Sequence, residues 1–226
     1  IGEGERDEAP MLYIGEKVGS GNGDEVDIAL DPLEGTTITS KGMPNSLAVI
    51  AAAKKGCLLH SPDTYMNKIA IGNGYSDDVI DLDASVKDNI KSLADAKKVK
   101  PSDISACVLE RDRHSEIIES LREIGSKVIL IPDGDVAGVM MTSQEEIDVD
   151  IYFGTGGAPE GVLAAAALQC IGGQMQTRLV IRNDDEKKRA EKAGIKDLEK
   201  KYYIDDLASG DIIFVATGVT EGTMVK

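Results

Sequence analysis

Ile104-Ser105-Ala106-Cys107-Val108-Leu109 is a short, mostly apolar run that stops at the charged stretch Glu110-Arg111-Asp112-Arg113-His114. Lys127-Val128-Ile129-Leu130-Ile131 repeats the pattern and ends at Pro132-Asp133-Gly134-Asp135. Val149-Asp150-Ile151-Tyr152-Phe153 does so again and ends at Gly154-Thr155-Gly156-Gly157-Ala158-Pro159-Glu160. Helical patterns over residues 114–124 and 135–142 separate the three runs. Strands that alternate with helices predict βαβ units and an α/β fold with a largely parallel sheet. Ligands of such sheets sit at the carboxyl ends of the strands, which is where this chain carries its charged and glycine-rich residues.

Working outward, helices are expected over residues 85–97, 160–171 and 184–194, and strands over 175–181 and 211–216. Toward the N-terminus the rhythm changes. Strands near 25–30, 46–53, 57–60 and 66–72 follow one another closely, as in an antiparallel or mixed sheet. A short helix is expected from an Asp7 cap through Pro10 to about Gly19. The polar, turn-rich residues 72–83 suggest a boundary near 82, giving an α+β part over 1–82 and an α/β part over 83–226.

The chain of 226 residues has 42% hydrophobic and 29% charged residues, the balance of a globular protein that can bury a core. Its net charge of −15 argues against nucleic acid as a partner, since that would select a basic face. No apolar run approaches a membrane span. Cys57, Cys107 and Cys170 are odd in number, widely spaced and in apolar surroundings, which reads as buried thiols in the cytoplasm.

A second stretch carries more chemistry: Asp31-Pro32-Leu33-Glu34-Gly35-Thr36-Thr37, after the apolar residues Val26, Ile28, Ala29 and Leu30. Pro32 biases Asp31 to an extended conformation, and Gly35 permits a backbone path that a side chain would obstruct. Two carboxylates on one stiff turn repel unless a cation, typically an oxygen-liganded divalent metal, sits between them; the alternative is an ordinary turn with a capping acid. If the strand continues through Arg111 and Arg113, both point to one side as a clamp for phosphate, the alternative being surface ion pairs with Asp112 or Glu116.

Residues 154–160 follow a strand and open a helix, but Pro159 stands where a dinucleotide fingerprint needs its third glycine. An anion is still favoured there by backbone amides, and Glu160 either complements the helix dipole or faces a metal. Asp133 and Asp135 suit sugar hydroxyls or a cap on the helix that follows, the cap being the simpler reading. Tyr65 could pack in the core, and His114 reads as a helix-start residue. Neither His60 nor His114 lies in a recognisable hydrolase motif, and residues 35–42 lack the ending of a Walker loop.

Taken together, Ile1-Gly2-Glu3-Gly4-Glu5-Arg6-Asp7-Glu8-Ala9-Pro10, Asp31 through Thr36, Ser61-Pro62-Asp63-Thr64-Tyr65-Met66, Ile131 through Asp135 and Gly156-Gly157-Ala158-Pro159-Glu160-Gly161 resemble the class II fructose-1,6-bisphosphatases of the lithium-sensitive, metal-dependent sugar phosphatase superfamily. The resemblance covers essentially the whole chain. It implies a layered αβαβα sandwich, cytoplasmic location, a homo-oligomer and removal of the 1-phosphate of fructose 1,6-bisphosphate in gluconeogenesis.

Residue by residue, it implies Mg²⁺ or Mn²⁺ held by Glu3, Asp31, Glu34 and Glu160 with the Leu33 carbonyl, and water positioned by Thr36. Gly35 and Thr36 would meet the departing phosphate. Tyr65, Arg111, Arg113, Asp133, Asp135, Gly156 and Gly157 would hold the sugar and its distal phosphate. Related members carry a further aspartate and lysine before the first shared motif, inside which this sequence begins, and a portion beyond Thr220-Glu221-Gly222. The alternatives are sedoheptulose 1,7-bisphosphate, inositol or nucleotide phosphates as substrates, or a non-catalytic module binding metal or nucleotide.

Overall fold

The computed structural model describes residues 12–225. β1 (Val26–Glu34) leads through α1 (Thr36–Ser40) to β2 (Leu47–Lys54) and β3 (Tyr65–Ile71). Next come α2 (Val86–Lys97), β4 (Ser105–Leu109), α3 (Ser115–Ile124), β5 (Lys127–Ile131), α4 (Asp135–Met141), β6 (Ile151–Gly157) and α5 (Ala158–Ile171). β7 (Gln174–Val180), α6 (Asp184–Lys192), β8 (Tyr202–Tyr203), α7 (Ile204–Leu207) and β9 (Ile212–Gly218) complete the order.

The strands form two sheets, β1-β2-β9 and β5-β4-β6-β3-β7-β8. In the larger sheet β4 runs parallel to β5 and β6, as the alternating rhythm predicts. The expectation of a largely parallel sheet fails beyond that trio, because β3 inserts antiparallel between β6 and β7, and β8 pairs antiparallel with β7. The sheets also exchange strands across residue 82: β3 joins the later strands, while β9 returns to β1 and β2. Strand spacing cannot reveal such a crossing, since it reports neighbours in sequence only.

α5 decides the layering. Ala164, Ala165, Ala166 and Ala167 are all buried, and so are Val162, Leu163 and Leu168. A helix apolar on every side belongs inside a protein, and its short side chains let both sheets approach. It packs against β1, β2 and β9 on one side and β3, β6 and β7 on the other. On the far face of the larger sheet, Ile90 and Leu93 of α2 and Leu121 of α3 close a second core over Ile69, Ile71, Val108 and Ile151.

The layers are therefore small sheet, central helices, large sheet and outer helices. The fifth layer implied by an αβαβα sandwich is not among the described residues, and the outer face of β2 and β9 exposes Ile50, Ile213 and Val215.

Three local expectations change. Residues 57–60 contribute one isolated bridge, Leu58 with Ala208, instead of a strand. The part of the predicted first helix that is described forms a turn, in which the Glu16 N–H donates to Tyr13 O at 3.0 Å. Gly15 and Gly19 weaken the helix there, glycine being a poor helix former. Of the three free thiols only Cys107 is buried, Cys57 being half-buried and Cys170 exposed. Among the described residues no helix is long and apolar enough to cross a membrane.

Candidate active site

The acidic pair lies in the end of β1 itself, because the strand continues through Pro32 to Glu34. Its register with β2 shifts between Asp31 and Glu34, where proline has no N–H to pair. Asp31 Oδ1 instead accepts the Leu33 N–H at 2.9 Å and kinks the strand. Gly35 then turns the chain at φ 90°, a left-handed conformation open to glycine, and α1 begins at the exposed Thr36. The kink and turn drive Glu34 inward to 3% exposure while Asp31 and Leu33 remain half-buried.

Glu34 and Asp133 cap each other's helices. Gly134, at φ 94°, brings the backbone round so that Glu34 Oε1 accepts the Val136 N–H of α4 at 2.8 Å. In return, Asp133 Oδ2 accepts the Thr37 N–H of α1 at 3.0 Å. The expectation that Asp133 or Asp135 caps the following helix is thus replaced by a reciprocal cap between segments about a hundred residues apart, invisible to local pattern. Burial pushes the Glu34 carboxyl up to about 8; the Val136 hydrogen bond opposes this, and Asp135, Asp31 and Asp133 add to it. Its second oxygen, Oε2, is buried with no hydrogen-bond partner among the described residues.

Asp135 occupies the middle. Lys68 and the Tyr152 hydroxyl both donate to it, and Lys68 Nζ also donates to Gly157 O at 2.8 Å. The Lys68 side chain is fully buried, so its charge is neutralised within the protein. Sequence reading passed over Lys68 and Tyr152. A signal existed for the lysine: it shares the inward period of β3 with buried Met66 and Ala70, where a cation needs a partner. Asp135, read from sequence as facing sugar hydroxyls, has both oxygens occupied in this network.

The glycines of β6 have a steric reason. A Cβ on Gly156 would collide with Asp135 Oδ2, and one on Gly157 with Glu160 Oε2. Glu160, in the first turn of α5, is thereby folded back on the strand. Its carboxyl is raised by burial, with Lys68 opposing and Asp135 and Asp63 reinforcing. Glu160 Oε2, like Glu34 Oε2, is buried without a hydrogen-bond partner among the described residues. Hard carboxylate oxygens left in this state suit a hard divalent cation. Among the described residues no three acidic, histidine or cysteine side chains already stand together in a metal-holding arrangement. Glu3, the remaining carboxylate expected of the centre, lies outside the described residues.

A basic corner adjoins this acidic region through strand register, since Tyr65 of β3 is the partner of Gly157 on β6. The arginines do not extend from one strand, because β4 ends at Leu109 and a 3-10 turn, Asp112–His114, follows. Arg111 reaches across to Pro132 O and lies 3.5 Å from Asp133. Arg113 turns to β6, donating Nε–H to Thr155 O at 2.8 Å, with its guanidinium carbon 5.0 Å from the Tyr65 ring centroid. A two-pronged clamp from one face is therefore corrected to two arms leaving a turn. Arg182, which sequence reading did not single out, lies over the same tyrosine ring at 4.2 Å.

His114 sits at a helix start, as read, but it is buried and carries a structural load. Its ring lies 2.8 Å from Leu109 O through Nδ1 and accepts the Thr155 N–H at Nε2, 2.9 Å away. This pattern requires a neutral ring with its proton on Nδ1. Burial lowers its pKa accordingly.

Residues 1–226 match the family described as bacterial fructose-1,6-bisphosphatase, glpX-encoded. The chain is 43% identical over 239 aligned positions to fructose-1,6-bisphosphatase 1 class 2 of Escherichia coli strain K12, covering all of this chain and 71% of that protein. The fructose-1,6-bisphosphatase class 2 of Shigella flexneri shows the same identity and coverage.

Proposed function

The chain belongs to the bacterial, glpX-encoded fructose-1,6-bisphosphatase family, and on that premise we propose that it hydrolyses the 1-phosphate of fructose 1,6-bisphosphate, as a cytoplasmic homo-oligomeric enzyme of gluconeogenesis. The observation that carries the proposal is the juxtaposition across Tyr65 and Gly157. On one side lie buried acids with two oxygens that have no hydrogen-bond partner among the described residues, and on the other arginines gathered about an aromatic ring. A substrate with a phosphate at each end of a sugar fits that polarity, whereas an inositol monophosphate would leave the basic corner without an anion.

Glu34 and Glu160, with Asp31, the Leu33 carbonyl and Glu3, would hold Mg²⁺ or Mn²⁺. When bound, such an ion lowers the pKa of water and offsets the charge of the departing phosphate. The chain's own residues do the rest. Glu34 is fixed through Oε1 by the Val136 N–H, which leaves its other oxygen to meet the ion. Thr36 and Gly35 receive the phosphate to be removed, with the Thr36 hydroxyl orienting water. Water's oxygen joins phosphorus as the bond from phosphorus to the sugar oxygen breaks, and that oxygen takes up a proton. Asp133 orients the sugar, Gly156 and Gly157 let it approach the strand, and Asp135 holds their floor through Lys68 and Tyr152. Tyr65, Arg111 and Arg113 retain the distal phosphate.

The test is phosphate release from fructose 1,6-bisphosphate with Mg²⁺ or Mn²⁺, alongside sedoheptulose 1,7-bisphosphate and inositol phosphates. Metal-dependent turnover with the fructose bisphosphate preferred is expected. Turnover that persists under chelation, or equal rates on inositol monophosphate, would overturn the proposal.

A further inference from the structure

The corner around Tyr65 holds more cationic charge than Arg111 and Arg113 supply. Arg182 follows β7, whose Val180 is the register partner of Tyr65, and this pairing delivers its guanidinium to the ring. At 4.2 Å from the ring centroid it is closer than Arg113 at 5.0 Å.

The arm is held in place. Glu186, whose side chain is only 1% exposed, accepts the Arg182 backbone N–H at 2.7 Å and Nε–H at 2.8 Å, and Nη2 as well. Glu186 is itself fixed at the start of α6, where its N–H donates to Asn183 Oδ1 at 2.9 Å. One edge of the guanidinium is thus clamped while the side chain stays 43% exposed. Ion pairing to a buried acid beside a helix cap removes the rotational freedom that an arginine otherwise loses on binding a ligand.

The neighbouring cation is differently anchored. Arg113 bonds to the neutral carbonyl of Thr155, so its charge is not offset by that contact. Two guanidiniums against one ring repel each other, and the ring's quadrupole attracts each only weakly. An anion with several acceptor oxygens at the ring's edge relieves that repulsion and matches the forked donors.

We infer that Arg182 is a third cation of the subsite for the phosphate that stays on the sugar, and that Glu186 is its positioning residue. The inference rests on the bisphosphatase reading and adds a specificity-determining side chain to it. It places the recognition of that phosphate on three separate segments: the start of β3, the turn after β4 and the exit of β7.

Fructose 6-phosphate is the probe, because it carries the retained phosphate and lacks the one removed. Its affinity is measured by calorimetry on the metal-loaded protein and compared with KM and kcat for the bisphosphate. Arg182→Gln is expected to weaken fructose 6-phosphate about tenfold, the effect of losing one charge-assisted hydrogen-bonding group, with the loss falling on KM more than on kcat. Arg182→Lys, which keeps charge without the planar fork, is expected to fall between. Glu186→Gln is expected to weaken binding by a smaller factor. A merely structural ion pair would lower Tm in these variants and leave affinity for fructose 6-phosphate unchanged, and that result in Arg182→Lys or in a folded Arg182→Gln overturns the inference. Wild-type protein that neither binds fructose 6-phosphate nor cleaves the bisphosphate would remove the underlying function, and the inference with it.

Discussion

The two halves of the site are built on opposite principles. The acidic half is buried: Glu34 is 3% exposed, Asp135 is locked between Lys68 and Tyr152, and both Glu34 and Glu160 keep an oxygen without a hydrogen-bond partner among the described residues. The basic half is more open, with Arg113 exposed and the Arg182 side chain 43% exposed. Desolvation disfavours the charged form of a buried carboxyl, so a cation supplied from outside gains much by binding there. Solvated guanidiniums lose little by waiting for an anion, and they exchange it readily. The difference suits one half to a resident metal and the other to a substrate that comes and goes.

Breaking the acidic half should give the largest effect. Glu34→Gln keeps an acceptor for the Val136 N–H but removes the charge. Turnover should fall by about a thousandfold, the scale of losing charge stabilisation at a reacting phosphate, while the metal-free variant keeps its Tm. Added Mn²⁺ should raise Tm in the wild type and not in the variant; an equal rise in both would detach Glu34 from the metal.

Lys68→Met separates the internal neutralisation from the metal. Removing one partner of a buried ion pair leaves the Asp135 charge uncompensated, a loss of roughly 3–5 kcal/mol of stability that urea unfolding would reveal. Full stability in that variant would mean that Asp135 is not held as the anion beside this lysine.

On the basic side, Arg113→Gln should raise KM for the bisphosphate about tenfold and change kcat less, as expected for a group that binds ground state and transition state alike. A selective fall in kcat would move Arg113 from the retained phosphate to the reacting one.

The smallest effect concerns His114, which links the two strands from which the halves hang. Its folded pKa lies below the ordinary 6.5, so above pH 6.5 its contribution is fully present. Below 6.5 the unfolded chain binds the proton first, and stability declines toward the folded pKa. Glu34, raised to about 8, acts in the opposite sense, gaining its proton in the folded state first as pH falls. The stability difference between wild type and His114→Gln isolates the histidine. That difference should shrink as pH falls from 7 to 5; a constant difference would contradict the neutral ring.

Much of this is legible in the sequence. The apolar runs before Glu110, Pro132 and Gly154 became β4, β5 and β6, parallel and in the expected order of elements, since local periodicity and turn residues specify a strand whatever it packs against. The acid pair at Asp31 and Glu34 stood out because two carboxylates on one stiff segment are costly in any fold. Lys68, Tyr152 and Arg182 did not, since each has an ordinary local context and gains its meaning from a partner 67, 17 or 117 positions away.

The amino-acid sequence by itself determined most of the longer strands and helices and which residues bear charge, because propensity, periodicity and turn chemistry act over a few neighbours. Tertiary structure alone decided that β3 would cross into the larger sheet, that Glu34 and Asp133 would cap each other's helices, and that Asp135 would meet Lys68 and Tyr152. Those outcomes depend on which buried charge meets which, and burial exists only once the sheets and α5 have closed around it.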